Sequence, residues 1–217
     1  MGVLPGVVAI VGIVAQALAW RRVARGGDVW RTMPPLFLIL GTASLLLLPS
    51  IVARQPAASH AVSAPAQLWL GVLSGIGLFA GTRIFVVLVR RSSLLFARDT
   101  RDAYRRAEAI STALAVVLAA FVVAVGEELF WRGLVYGVGV QQGLTIAFAG
   151  FTSWLLYVAA NRSIRLRPIL AAAIVGGALW TVLAWWTGGI LASIVSHMLW
   201  TGLMLGFPPG PARAEIT

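Results

Sequence analysis

Cysteine is absent from these 217 residues, which excludes disulfides, thiolate metal sites and cysteine nucleophiles together. Lysine is absent as well, so all seventeen basic residues are arginine. With the heavy use of alanine and glycine, that bias suggests a bacterium with a high-GC genome. Acids are scarce at seven, and histidine occurs twice, so few residues can carry acid or base chemistry. Charged residues make up only 11% of the chain, which excludes an ordinary soluble domain. The period-2 alternation of barrel strands is missing too. No soluble domain, long linker, low-complexity tract or clear repeat interrupts the sequence.

What remains is apolar: 59% of residues are hydrophobic and the mean hydropathy is +0.91. The apolar stretches run to about 20 residues, the length that crosses a bilayer as helix. The fold class is therefore all-α, a polytopic integral membrane helix bundle. Seven spans are expected, at 3–20, 35–53, 67–89, 111–137, 142–160, 168–187 and 189–206, in a single membrane domain over 1–217.

The net charge of +10 raises the question of nucleic acid. The arginines, however, fall in short clusters between the spans, and no basic, aromatic-interleaved face exists. No nucleic-acid partner is expected; the lipid bilayer is the partner. Arg21, Arg22, Arg25 and Arg31 occupy the first connection, Arg90 to Arg106 the third, and Arg162, Arg165 and Arg167 the fifth. By the positive-inside rule those connections are cytoplasmic, with the N-terminus outside and the C-terminus inside a cell inner (plasma) membrane.

Ala17-Leu18-Ala19 resembles a signal cleavage site. No basic region precedes it and four arginines follow, so the segment is read as a span. No lipid anchor is expected at Met1-Gly2. The segment 98–109, RDTRDAYRRAEA, alternates charge at helical spacing with Asp102 and Arg106 as an i,i+4 pair. It is read as a solvated surface helix leading into the fourth span. Gly71, Gly75, Gly77 and Gly81 give the small-xxx-small spacing of close helix contact, and Arg83 beyond them is read as snorkelling to the inner surface.

Leaving aside the juxtamembrane arginines, few residues with acid or base capacity lie within the spans: Glu127, Glu128, Arg132 and His197. Charge at membrane depth is expensive and usually faces a cavity. On a helix, Glu128 and Arg132 stand one above the other, while Glu127 is rotated by about 100°. Glu128 and Arg132 are expected to neutralise each other. Glu127 is left to meet solvent or another helix, with the profile of a general base. The alternative is a polar clamp holding helices together, which needs one acid rather than two. His197 is a candidate partner, or a plain interhelical hydrogen-bonder; His60 lies in a connection and is read as incidental.

GEELFWRG, residues 126–133, resembles the Glu-Glu-X-X-X-Arg motif of the CAAX prenyl endopeptidase and bacteriocin-processing (CPBP, Abi) family of intramembrane proteases. TGGILASIVSHMLWT, residues 187–201, is similar to that family's Thr-Gly and His-X-X-X-Asn/Asp stretch. The resemblance spans roughly 110–206. It implies a catalytic core over 98–206, with the first three spans, 3–89, accessory.

The resemblance further implies that Glu127 activates the hydrolytic water, that Glu128 and Arg132 support the site, and that His197 is the last-motif histidine. Two positions depart from the family: Phe-X-X-X-His is matched by Tyr157-X-X-X-Asn161, and the final Asn/Asp by Thr201. Asn161 and Thr201 can donate hydrogen bonds to an oxyanion, but asparagine is no zinc ligand. One glutamate and one histidine fall short of the usual three protein ligands, so zinc is disfavoured and no cofactor is expected. The function implied is an endopeptidase acting on a membrane-embedded or membrane-associated peptide. The alternatives are a degenerate scaffold or bacteriocin-immunity protein that binds without cutting, and a small proton-coupled transporter, which the lack of repeats disfavours. A hydrolytic site requires Glu127 and His197 within a water's reach, roughly 4 to 7 Å apart.

Overall fold

The computed structural model describes residues 3–52 and 62–208, so His60 and the C-terminal tail lie outside the described residues. Eight helices occur there, with no strand: α1 Val3–Ala24, α2 Val29–Val52, α3 Ala64–Ser92, α4 Leu94–Ala107, α5 Thr112–Gln141, α6 Ile146–Asn161, α7 Arg167–Thr187 and α8 Leu191–Gly206. Their starts follow local chemistry. Ser93, Ser111 and Thr145 accept a backbone N–H from the first turns of α4, α5 and α6, and Pro168 stands in the first turn of α7, where its missing N–H costs nothing. Gly188 ends α7 with φ of 68°, a left-handed conformation that glycine adopts without strain.

Five helices, α1, α2, α3, α5 and α7, are long and apolar enough to cross a membrane. The sixth and seventh expected spans become α6 and α8, each of 16 residues. At ~1.5 Å per residue they reach about 24 Å, short of the ~30 Å hydrocarbon thickness. The seven-span count therefore holds by length for five helices. The outer surface suits a membrane protein: Leu46, Trp69, Ile39, Ile84 and Trp186 are large apolar side chains exposed on the long helices.

The segment read as a lead-in to the fourth span is an independent amphipathic helix, α4. Its carboxylates pair differently from the spacing: Asp102 meets Arg105, while Arg106 donates to the Val23 carbonyl at the end of α1. Asp99, buried, accepts from Arg167 at 2.6 Å and so ties α4 to the start of α7. Burial pushes the Asp99 carboxyl up, but the hydrogen bonds and charge of Arg167, helped by Arg98, hold it below its ordinary value. Arg83 donates to the Phe207 carbonyl at 2.7 Å, a partner that hydropathy could not name.

Helix α5 lies at the centre. It is π-helical over Leu118–Ala124 and Leu129–Val135, with a single α turn, Val125–Glu128, between them. Wide turns of this kind are rare and recur at functional sites. Met33, Phe37 and Leu40 of α2 pack on Phe130, Trp131 and Leu134 of α5, with Tyr157 and Ala160 of α6 completing the core. Buried Trp131 Nε1 donates to Gln16 Oε1 of α1 at 2.8 Å, and Ser153 of α6 donates to the Trp131 carbonyl. The glycines on α3 divide: a Cβ on Gly71 or Gly75 would strike α8, whereas Gly77 and Gly81 face open space.

Helices α2 and α5 meet at Gly41 and Gly126. A Cβ on Gly126 would lie 2.4 Å from the Phe37 carbonyl oxygen, and one on Gly41 would lie 2.9 Å from the Gly126 Cα. Gly126→Ala is therefore expected to force the helices apart and to lower stability by about 1–3 kcal/mol, read by unfolding in mixed micelles. Asp99→Asn should loosen α4 from α7. Because the folded Asp99 carboxyl titrates below its unfolded value of about 3.8, its stabilisation is fully present above that pH and is lost as pH falls through the folded value. The gap in melting temperature between parent and Asp99→Asn should thus stay constant from neutral pH to about 5 and shrink in stronger acid.

Candidate active site

The α turn Val125–Glu128 sets Glu127 and Glu128 on neighbouring faces of α5, both buried, with Arg132 one turn further on. The acid–base expectation holds in geometry: Arg132 NH1 lies 3.0 Å from Glu128 Oε1. Arg132 NH2 donates to the Gly177 carbonyl of α7 at 2.8 Å. The guanidinium also sits over two rings, 4.8 Å from Tyr157 and 5.6 Å from Trp180. Gly177 makes this approach possible, since a Cβ there would come within 2.9 Å of the Tyr157 ring.

His197 comes from α8. Its Nδ1 lies 2.9 Å from the same Glu128 Oε1, and its ring stacks on Trp180 with centroids 3.6 Å apart. The second glutamate therefore serves two partners, where the sequence reading gave it one. Its bond to Nδ1 turns the other nitrogen, Nε2, towards Glu127, whose Oε2 stands 3.8 Å away. That separation is slightly shorter than the expected window of roughly 4 to 7 Å. Glu127 Oε2 also accepts from the Tyr157 hydroxyl at 3.1 Å. Glu127, Glu128, Arg132 and His197 are 4%, 0%, 3% and 5% exposed, so the whole cluster is buried.

Beside the cluster lies a cavity of about 610 Å³. Glu127, Tyr157, Trp180 and His197 stand in its wall with Asn161 and Thr201, and α1, α2, α3 and α4 supply much of the rest. Asn161, the last residue of α6, thus shares one cavity with Glu127. Its amide, however, donates to the Tyr157 carbonyl at 2.9 Å, leaving one N–H uncommitted. Thr201 Oγ1 and Trp180 Nε1 are buried donors without a hydrogen-bond partner among the described residues. All six candidate residues are accounted for: four form the cluster, and two line the space beside it.

Tyr157 and Trp180 were not singled out for a role. Tyr157 carried a signal, since it lies four residues before Asn161 and so on the same helical face. Trp180 carried none, being one of nine tryptophans in the chain.

An all-α membrane bundle thus buries a Glu-Glu-Arg-His cluster beside an apolar cavity. Residues 109–203 match the family model described as type II CAAX prenyl endopeptidase Rce1-like, and this bears out the family resemblance of the two motifs. At family level the match indicates a protease-type enzyme. No curated protein and no solved structure matches the chain.

Arg132→Ala would strand the Glu128 carboxylate in the interior and should cost about 3–5 kcal/mol, as for other broken buried pairs. Glu127→Gln keeps an oxygen for the Tyr157 hydroxyl and should change stability by less than about 1 kcal/mol. Thermal unfolding of both variants checks the contrast.

Proposed function

We propose that the chain is an intramembrane endopeptidase that hydrolyses a peptide bond of a membrane-associated protein or peptide, with Glu127 as general base. The observation that carries this reading is the 3.8 Å approach of Glu127 Oε2 to His197 Nε2 at the cavity wall. With Glu128 ionised against Arg132, a neutral His197 carries its proton on Nδ1 and presents Nε2 as an acceptor. A water between Glu127 and Nε2 is then held by two acceptors, with an oxygen lone pair free for a substrate carbonyl.

As the water oxygen bonds to the carbonyl carbon, its proton passes to Glu127. The oxyanion that forms needs donors, which Thr201 Oγ1 and the remaining N–H of Asn161 can supply. Collapse of the tetrahedral intermediate breaks the C–N bond, and Glu127 returns the proton to the leaving nitrogen. Glu128 holds the histidine in the right tautomer and supports any positive charge on it, the part a carboxylate plays beside histidine in hydrolytic triads.

Metal is not required by this route. Glu128 Oε1 and His197 Nδ1 are committed to protein partners, whereas Glu128 Oε2 has none within hydrogen-bond distance; even so, no three His, Asp or Glu side chains among the described residues are placed to hold a metal ion. The setting we propose is a bacterial plasma membrane, N-terminus outside, with the cavity wall formed by α4 on the cytoplasmic side.

One observation favours a second reading, a scaffold or immunity protein that binds without cutting. The position where the family carries histidine is Asn161, and its amide is partly spent on the Tyr157 carbonyl. The two readings separate on one experiment. The purified parent is expected to cleave members of a membrane-peptide library, and Glu127→Gln, folded and equally abundant, to lose at least ~100-fold of that activity. Undiminished cleavage by Glu127→Gln would overturn the general base. No cleavage by the parent, with cellular function preserved in Glu127→Gln, would establish the scaffold.

A further inference from the structure

Away from the cluster, four arginines from two helix ends converge on one concavity. Arg21 and Arg25 lie at the end of α1, and Arg162 and Arg165 lie in and just after the 3-10 turn that follows α6. With Ser163 they line a space of about 630 Å³. No carboxylate lines it, and none of the four arginines enters an ion pair among the described residues. Of the described juxtamembrane carboxylates, Asp28 pairs with Arg31, Asp99 with Arg167 and Asp102 with Arg105, and Glu108 at the end of α4 does not line the space.

Two ordinary causes explain why arginine stands at each helix end: cations suit helix C-termini, and basic connections stay on the inner side. Neither explains why four of them line one concavity that holds no carboxylate, since mutual repulsion disfavours gathering them there. The backbone adds a second sign. Arg165 has φ of 61°, the only non-glycine positive φ among the described residues, at a position where glycine or asparagine would be less strained. The chain thus holds an arginine in the pocket at a conformational cost.

We propose that this cradle binds a phosphate group, and specifically the phosphodiester headgroup of an anionic phospholipid of the inner leaflet. A compact oxyanion satisfies guanidinium forks in bidentate fashion and relieves their repulsion. The lipid source follows from position. Arg21 and Arg25 end a membrane-spanning helix, where basic pockets between helices meet headgroups. The acyl chains would then run along the exposed apolar faces of α1 and α6, which carry Val14 and Leu18, and Leu155 and Phe151. The cradle adjoins Asn161, the last residue of α6, so an occupied site would brace the helix that carries Tyr157.

The test uses the purified full chain in zwitterionic micelles, titrated with phosphatidylglycerol, phosphatidylcholine or sodium phosphate, with bound lipid counted by native mass spectrometry. Phosphatidylglycerol should be retained in preference to phosphatidylcholine, and less so as salt rises. Arg25→Gln/Arg162→Gln and Arg21→Gln/Arg165→Gln should each weaken retention roughly tenfold or more, while melting as the parent does in phosphatidylcholine. Arg91→Gln/Arg101→Gln, exposed arginines outside the cradle, should leave retention unchanged. Equal loss in that control, or no preference for phosphatidylglycerol, would overturn the site. Displacement of the lipid by low-millimolar sodium phosphate would overturn its assignment to a lipid headgroup.

Discussion

The shared carboxylate oxygen of Glu128 is the interaction on which the interior of this protein depends. Removing two ions from water costs several kcal/mol each, and an excellent geometry is needed to recover it. Here Arg132 on the same helix supplies the countercharge at 3.0 Å, and His197 on α8 occupies the same oxygen at 2.9 Å. One atom thereby joins helices that are 69 residues apart in sequence. The remaining capacity of Arg132 is met by the Gly177 carbonyl and two aromatic faces, so α7 is held as well.

Because Glu128 absorbs the cation and orients the histidine, Glu127 is left free of a direct basic partner other than the far nitrogen of His197. Adjacent glutamates with opposite duties are thus a consequence of helical rotation. One faces the neutralising pair, and the other faces the cavity. The glycines of α2, α5 and α7 serve the same end, since the polar groups meet only where backbones and rings approach more closely than a Cβ permits.

Much of this was legible in the sequence. The bundle class followed from composition, and the division between Glu128 and Glu127 from a single turn of helix. His197 stood out because the chain has so few groups that titrate. Span ends were less legible: 142–160 and 189–206 contract to helices of 16 residues, because the Thr145 cap starts α6 and the left-handed turn at Gly188 ends α7, delaying α8 to Leu191. The Asp102 and Arg106 spacing misjudged its pairing because Arg106 reaches a carbonyl on another helix. Half of the glycine stripe on α3 lines open space instead of a contact for the same kind of reason.

Composition and the period of one helix suffice for the membrane class, the polar inventory and the face of α5 on which each acid stands. No such rule reaches the bond of His197 to Glu128, the donation of Tyr157 to Glu127, the stacking of Trp180 on the histidine or the turn of the Asn161 amide to the Tyr157 carbonyl. Those facts depend on distances between helices, and such distances are set by packing among residues far apart in the chain.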